Sequence, residues 1–323
     1  MKETADAESS TTLLRIPIHT LDSVVCFGRV SASPSLMGFC GENRVLLSFF
    51  TETGRFLARV QGPVAGNILL RRQQYRVADQ PTVAANVVRS IVIAKVANSR
   101  IVLQRALRER ATDSPLLGSC IEQLSSVLSR LKVTRPIPLD SLRGMEGEAA
   151  QYYFRAFDEM IVAQRDSFRF TTRSRRPPLD RINAVMSFLY TLLTHDCVAA
   201  LEGVGLDPYC GFLHLDRPGR PGLALDLMEE LRPVIGDRLA LTLINRQQLK
   251  ANDFEVRENG AVWLTAAGRK QVIAAWQERK REALTHPILE EKVELGLLPH
   301  VQALLLARHL RGDFEGYPSL LWR

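Results

Sequence analysis

The sequence predicts an α+β fold: a small N-terminal β-domain over residues 1–65, then a larger all-α domain over residues 66–323. Three observations carry that expectation. Short β-prone runs punctuated by turn residues fill the first 65 residues. From about Gly66 the apolar residues recur at helical spacing instead. The 323 residues are 46% hydrophobic, enough to build two domains with a substantial core.

Taken in order, Leu13–Ile18 and Ser23–Phe27 read as short strands. The stretch SPSLMGFCGEN reads as a short helix with Ser31 or Ser33 as its cap. Val45–Phe50 and Arg55–Val60 flank TETG and read as a hairpin turning at Gly54. These strands are scant for a stand-alone sheet, which points to pairing across a subunit boundary or to a shortened start. GNILLRRQQY is a short helix, and a long one follows with Pro81 in its first turn. SPLLGSCIEQLSSVLSRLK is amphipathic; VTRPIP breaks it, and Asp140 or Ser141 caps the next helix. Phe168–Arg181 is a Pro/Arg loop without apolar period, and Asp180 starts a long helix ending near Gly203 or Gly205. VRENGAVWLT reads as a hairpin on Asn259-Gly260, Thr265 caps another helix, and the segment from Thr285 to Gly312 reads as helical.

No apolar run approaches the roughly 20 residues a bilayer span needs. The start, MKETADAESSTT, is acidic and resembles no signal peptide, so cytoplasmic residence is expected. Five cysteines lie scattered without a CxxC pattern, as reduced thiols do in a reducing compartment. The formal charge is +7, and 35 of the 42 cationic residues are arginine. Arginine binds phosphate bidentately, so the excess favours a nucleic acid partner, although coding bias produces the same skew. Arg173, Arg175, Arg176 and Arg181 in the Pro/Arg loop are candidate phosphate contacts, unless the loop is a linker. Arg71 and Arg72 are further candidates, with a solvated helix face as the ordinary alternative.

The chemistry concentrates in Gly211–Pro233, GFLHLDRPGRPGLALDLMEELRP. An apolar run delivers His214, and a Pro/Gly/Arg turn leads into a helix carrying Asp226 and Glu229 on one face. Asp226 lies among leucines, so it needs either a metal or a buried arginine as partner. Upstream, Glu146 and Glu148 open a helix and face this stretch. A neutral imidazole with two or three carboxylates suits one Mg²⁺ or Mn²⁺ ion. Taken singly, each of these residues also has an ordinary structural reading, as a helix-start carboxylate, a solvated face or a core histidine.

The segments RGMEGEAAQYYF, NAVMSFLYTLL, GLDPYCGFLH and RPGLALDLMEELRP, in that order, resemble the CRISPR-associated adaptation integrase, the "Cas one" family. The early VVCFG, SPSLMGFCGENRVLLSFFTETG and GNILLRRQQY segments resemble it too, so the likeness runs from about Leu21 to the end. The tail YPSLLWR resembles the subtype I-C branch. This resemblance implies an N-terminal β-domain joined to an α-helical catalytic domain. It implies a metal-dependent DNA endonuclease and integrase that inserts spacers into a CRISPR array by transesterification. It implies a homodimer bridged by a small ferredoxin-like partner, with DNA as substrate and Mg²⁺ or Mn²⁺ as cofactor. Carried over by position, the catalytic metal ligands are Glu146, His214 and Asp226. Glu229 stands where some relatives have a second aspartate, and Tyr190 matches a tyrosine near the site; both are further candidates. Family members usually have another β-hairpin before RIPIH, where this chain has MKETADAESST, so an incomplete β-domain and altered dimer packing are expected.

Two other functions fit the same residues: a structure-specific DNase without integrase activity, and a non-catalytic DNA scaffold whose acidic cluster is bound to arginines. The apolar end, Ser319–Arg323, has to be covered. Either it packs on its own helical domain, or it docks on a second chain with Trp322 as anchor.

Overall fold

The computed structural model describes residues 14–21, 23–43, 45–52, 56–60, 62, 68–109 and 114–322. The chain divides into two compact units, Met1–Val64 and Ala65–Arg323.

The first unit holds a three-stranded sheet in the order β1 (Ser23–Phe27), β2 (Leu46–Phe50), β3 (Phe56–Val60). β1 and β2 are parallel, and α1 (Pro34–Glu42) makes the crossover between them. Ser33 caps α1 by accepting the Leu36 N–H at 3.2 Å. β2 and β3 run antiparallel, with an irregularity at Phe49/Phe50. The turn expected at Gly54 and the acidic start lie outside the described residues. Cys40, Val45 and Leu47 form the small core, with Val24, Met37 and Val60 packed against it. One expected strand is absent. Residues 14–17 are irregular and lead into a 3₁₀ turn at Ile18–Thr20, because Pro17 offers no N–H to a ladder.

The second unit is built around α3 (Pro81–Glu109), whose Val87, Val88, Ile91, Val92, Val96 and Leu103 are buried. α3 packs against α4 (Pro115–Leu131), α5 (Leu139–Arg155) and α7 (Gly222–Leu231), and against α2 (Ile68–Ala78) before it. α6 (Arg181–Gly203) packs on α7 and on α10 (Leu298–Leu310). Asp180 caps α6 by accepting the Asn183 N–H at 2.7 Å. α6 is long and apolar enough in composition to cross a membrane, yet 67% of its most apolar window is buried inside the protein. α7 continues through a π-helical turn, Arg232–Asp237, into α8 (Arg238–Asn245).

Three expectations are corrected here. The helix carrying Glu146 starts at Leu139 after Pro138, so Asp140 lies in its first turn and pairs with Arg143 at 2.8 Å instead of capping it. The second unit is not all-α, since β4 (Phe254–Val256) and β5 (Val262–Leu264) form the ribbon read at Asn259-Gly260. β6 (Ala283–Thr285) and β7 (Lys292–Glu294) form another ribbon, inside the stretch read as helical. Pro287 restricts His286 to extended backbone, and the His286 N–H donates to the Glu291 carbonyl at 2.8 Å to close the hairpin. α9 (Ala266–Arg281) lies between the two ribbons, capped by Thr265.

Candidate active site

The loop entering the site is held from α2. The buried Gln74 side chain donates to the carbonyls of Asp207 and Cys210, each at 2.8 Å, and accepts the Asp207 N–H at 2.9 Å. Beyond it the backbone of Gly211 passes hard against the start of α7. A Cβ on Gly211 would lie 2.7 Å from the Gly222 carbonyl carbon, so no side chain fits. This crossing turns three successive N–H groups onto Asp226. Its Oδ2 accepts from Phe212 at 2.6 Å and Leu213 at 2.9 Å, and its Oδ1 accepts from His214 at 3.0 Å. Arg143, one turn before Glu146 on α5, donates to the Leu213 carbonyl at 2.8 Å and ties that helix to the loop.

His214 Nδ1 lies 2.6 Å from Asp226 Oδ1. A carboxylate only accepts, so Nδ1 carries the proton of this hydrogen bond. Nε2 lies 3.8 Å from Glu229 Oε1. Glu229 is 2% exposed; Arg232 Nη1 holds its Oε1 at 2.8 Å, and the Lys95 ammonium lies 2.6 Å from its Oε2. The same ammonium contacts Glu146. Oε2 receives no aligned hydrogen bond, although it is buried. Burial pushes the Glu229 carboxyl up, but Arg232, Lys95 and His214 outweigh it and hold it well below the usual carboxylate range.

Of the residues expected at the site, Glu146 and His214 are brought together with Glu229. Asp226 has a different place from the ligand position expected for it. It is fully buried on the Nδ1 side of the imidazole, and backbone N–H groups and the ring occupy its oxygens. Glu148 points elsewhere: Arg130 holds it at 2.6 Å, and that bond lowers its carboxyl. Tyr190 donates to the buried Asp237 at 2.6 Å, with the guanidinium carbons of Arg232 and Arg173 at 5.0 and 5.2 Å from its ring centroid. Arg173 is tied to Asn183 at 2.6 Å and to Ser187 on α6, so its guanidinium is committed to the protein. Arg181 donates to the Ser167 carbonyl and Arg71 to the Gly205 carbonyl. Arg72, Arg175 and Arg176 are exposed.

Among the described residues, no three His, Cys, Asp or Glu side chains form a ready metal cage. The donors nevertheless fit a hard divalent ion: two carboxylates, one imidazole nitrogen, and a buried oxygen without an aligned hydrogen bond facing an ammonium. Lys95, Arg232, Tyr153 and Asp237 are site residues that sequence reasoning missed. The signal for Lys95 was present, since it is one of seven lysines and sits inside the apolar run IVIAKVA. Nothing local marks Tyr153 or Asp237.

A family model described as CRISPR associated protein Cas1 matches residues 3–278. The chain belongs to the Cas1 family. Within that family, CRISPR-associated endonuclease Cas1 1 of Chlorobaculum tepidum is 53% identical over 311 residues, covering 96% of this chain and 90% of that protein. CRISPR-associated endonuclease Cas1 2 of Rhodospirillum rubrum is 52% identical over 314 residues, with the same coverage. The fold matches a solved Cas1 protein from Thermotoga maritima with a TM-score of 0.79 at 23% identity, over 94% of this chain and 90% of that one. It also matches a casposase bound to its integration product, with a TM-score of 0.78 at 22% identity, over 92% and 82% of the two chains. The mixed fold with its small N-terminal sheet is thus the Cas1 fold.

Proposed function

We propose that this Cas1 chain is a metal-dependent DNA endonuclease and integrase that inserts spacers into a CRISPR array. The observation that carries the reading is that one ammonium, Lys95, contacts both Glu146 of α5 and Glu229 of α7, while His214 Nε2 from the 207–214 loop lies 3.8 Å from the other oxygen of Glu229. Its relatives' names as endonucleases support it. In this reading Glu146, His214 and Glu229 hold one Mg²⁺ or Mn²⁺, and Asp226 orients the imidazole instead of ligating.

The bound metal would supply Lewis-acid stabilisation to the scissile phosphate and the attacking and leaving oxygens. Asp226 holds the Nδ1 side of the His214 ring, which leaves Nε2 as the nitrogen that would ligate. Arg232 braces Glu229 from the side away from Lys95, and Arg143 fixes the spacing between α5 and the His214 loop. Exposed Arg175 and Arg176, near Arg217 and Arg220, hold DNA backbone without reading bases. In integration a spacer 3′-hydroxyl attacks a repeat phosphodiester. One P–O bond forms as another breaks, a new 3′-hydroxyl leaves, and no nucleotide hydrolysis is needed. The partner would be Cas2, with which a solved Cas6-RT-Cas1 protein of the same fold is assembled. Homodimerisation, a subtype I-C origin and a cytoplasmic location belong to the same proposal.

One observation favours the scaffold alternative: Glu229 already has Arg232 and Lys95 as counter-ions. Cleavage of branched DNA by the purified chain decides between them. Activity that requires Mn²⁺ or Mg²⁺ and disappears in both His214→Ala and Glu229→Gln supports the enzyme. Full Mn²⁺-dependent activity in His214→Ala rejects this site. Strand joining in the presence of Cas2 then separates integrase from simple DNase.

A further inference from the structure

We propose that Lys95 is the resident counter-ion of the cation site, and that a divalent metal enters only by displacing its ammonium. The proposal rests on the metal-site reading above. Lys95 Nζ lies 2.6 Å from Glu229 Oε2 and also contacts Glu146, so it bridges the two carboxylates that would hold the ion. A Mg²⁺–oxygen bond is about 2.0–2.1 Å, so ion and ammonium would compete for the same oxygens. Charge points the same way. Lys95 and Arg232 offset two of the three carboxylates Glu146, Asp226 and Glu229, so the ammonium cancels one of the negative charges an arriving dication would otherwise meet. Removing the Lys95 charge makes the site more negative by one.

The lysine is placed for displacement. Its side chain is 12% exposed. Beside it lies a small cavity lined by Ser99, Tyr153, Tyr190, Asp237, Arg175 and Arg232. On this proposal the displaced ammonium moves to the Asp237 side of that space while the backbone of α3 stays fixed. In the metal-free protein the bridge has a second effect. It places a cation on the buried Glu229 oxygen that Arg232 does not reach, so losing it leaves that carboxylate less compensated while the metal is away.

The test is Mn²⁺ titration of metal-free protein without DNA, followed by EPR of the free ion, alongside metal-free thermal melts. Lys95→Met keeps the stem and removes the charge; it should bind Mn²⁺ at least tenfold tighter than wild type. Its metal-free melting temperature should fall, and saturating Mn²⁺ should restore it. Lys95→Arg keeps the charge and should bind no tighter than wild type. Lys95→Gln repeats the measurement if the Met variant fails to fold. Equal Mn²⁺ affinities of wild type and Lys95→Met, or tightening in Lys95→Arg to match Lys95→Met, overturn the proposal. Glu229→Gln separates this outcome from failure of the site itself. If it abolishes Mn²⁺ binding while wild type and Lys95→Met bind equally, the metal site stands and the Lys95 role falls. If Glu229→Gln leaves Mn²⁺ binding unchanged, the metal site falls with it.

Discussion

At the scale of single residues, Asp226 is set apart by what fills its oxygens: three backbone N–H groups and the Nδ1–H of His214. Asp226→Asn keeps the shape but turns an amide N–H₂ toward groups that donate. Imidazole orientation should loosen, with a loss of about 10–100-fold in Mn²⁺ affinity or cleavage rate, the range seen for such supporting partners. Mn²⁺ affinity equal to wild type in this variant would remove the orienting role. Asp237 carries a pH signature instead. Burial raises its carboxyl to about 6 from the ordinary 3.8, against the hydrogen bonds from Tyr190 and Tyr153 that pull it down. A carboxyl raised in the folded state contributes stability that is fully present below pH 3.8 and lost as pH rises through 6. The stability advantage of wild type over Asp237→Asn should therefore shrink by on the order of 2 kcal/mol between pH 4 and 7 in urea unfolding. A gap independent of pH would contradict that assignment. The sequence could single out Glu146 and His214 because their segments are distinctive. It could not say which of Asp226 and Glu229 would face Lys95. Three residues apart on one helix face, they differ only in which of them the folded loop covers, and a linear motif carries no record of that.

At the scale of elements, the Pro/Arg loop has two halves with different duties. Arg173 is anchored on α6 through Asn183 and Ser187, whereas Arg175 and Arg176 remain exposed. Replacing Arg175 and Arg176 together with Gln should weaken DNA binding across sequences. The slope of log K against log salt should flatten by up to about 2, close to one per lost phosphate contact. An unchanged slope would leave the loop as a linker. Arg173→Ala should lower the melting temperature instead. Elements whose ends are set by their own residues were legible. Ser33, Asp180 and Thr265 cap helices where their chemistry places them. The β6–β7 ribbon was missed because its apolar residues are too few to show a period. Tertiary pairing of His286 with Gln302 at 2.9 Å fixes it instead. Lys95 was missed because its partner Glu146 is 51 positions away on another helix.

At the scale of the whole molecule, the apolar tail is part of the helical unit. Leu320 is fully buried, and its carbonyl accepts from Asn98 at 2.9 Å. The Trp322 N–H donates to the same side chain at 2.8 Å, and Arg238 lies 4.5 Å from the Trp322 ring centroid. Glu230 accepts from Tyr317, Gln302 and the Leu320 N–H beneath it. The sequence left open whether the tail packs at home or docks on a partner, because the acceptors that receive it are scattered over α3 and α7. Deleting residues 318–323 exposes those groups and should lower the melting temperature by roughly 5–10 °C, from lost apolar burial and hydrogen bonds. An unchanged melt would return the tail to the docking alternative.

The Gln74 clamp has a consequence in the exchange of backbone hydrogens. The amides of Phe212, Leu213 and His214 all end on one fully buried carboxylate, and the loop bearing them is moored to α2 chiefly through Gln74, with Tyr75 and Arg71 beside it and Arg143 tying it to α5. They should trade their protons for deuterium as one cooperative group, through openings in which the loop lifts off α7. In Gln74→Leu that group should exchange faster while the interior of α6 keeps its protection. The free energy of opening of this loop can then be read from three amides in a metal-free, DNA-free sample.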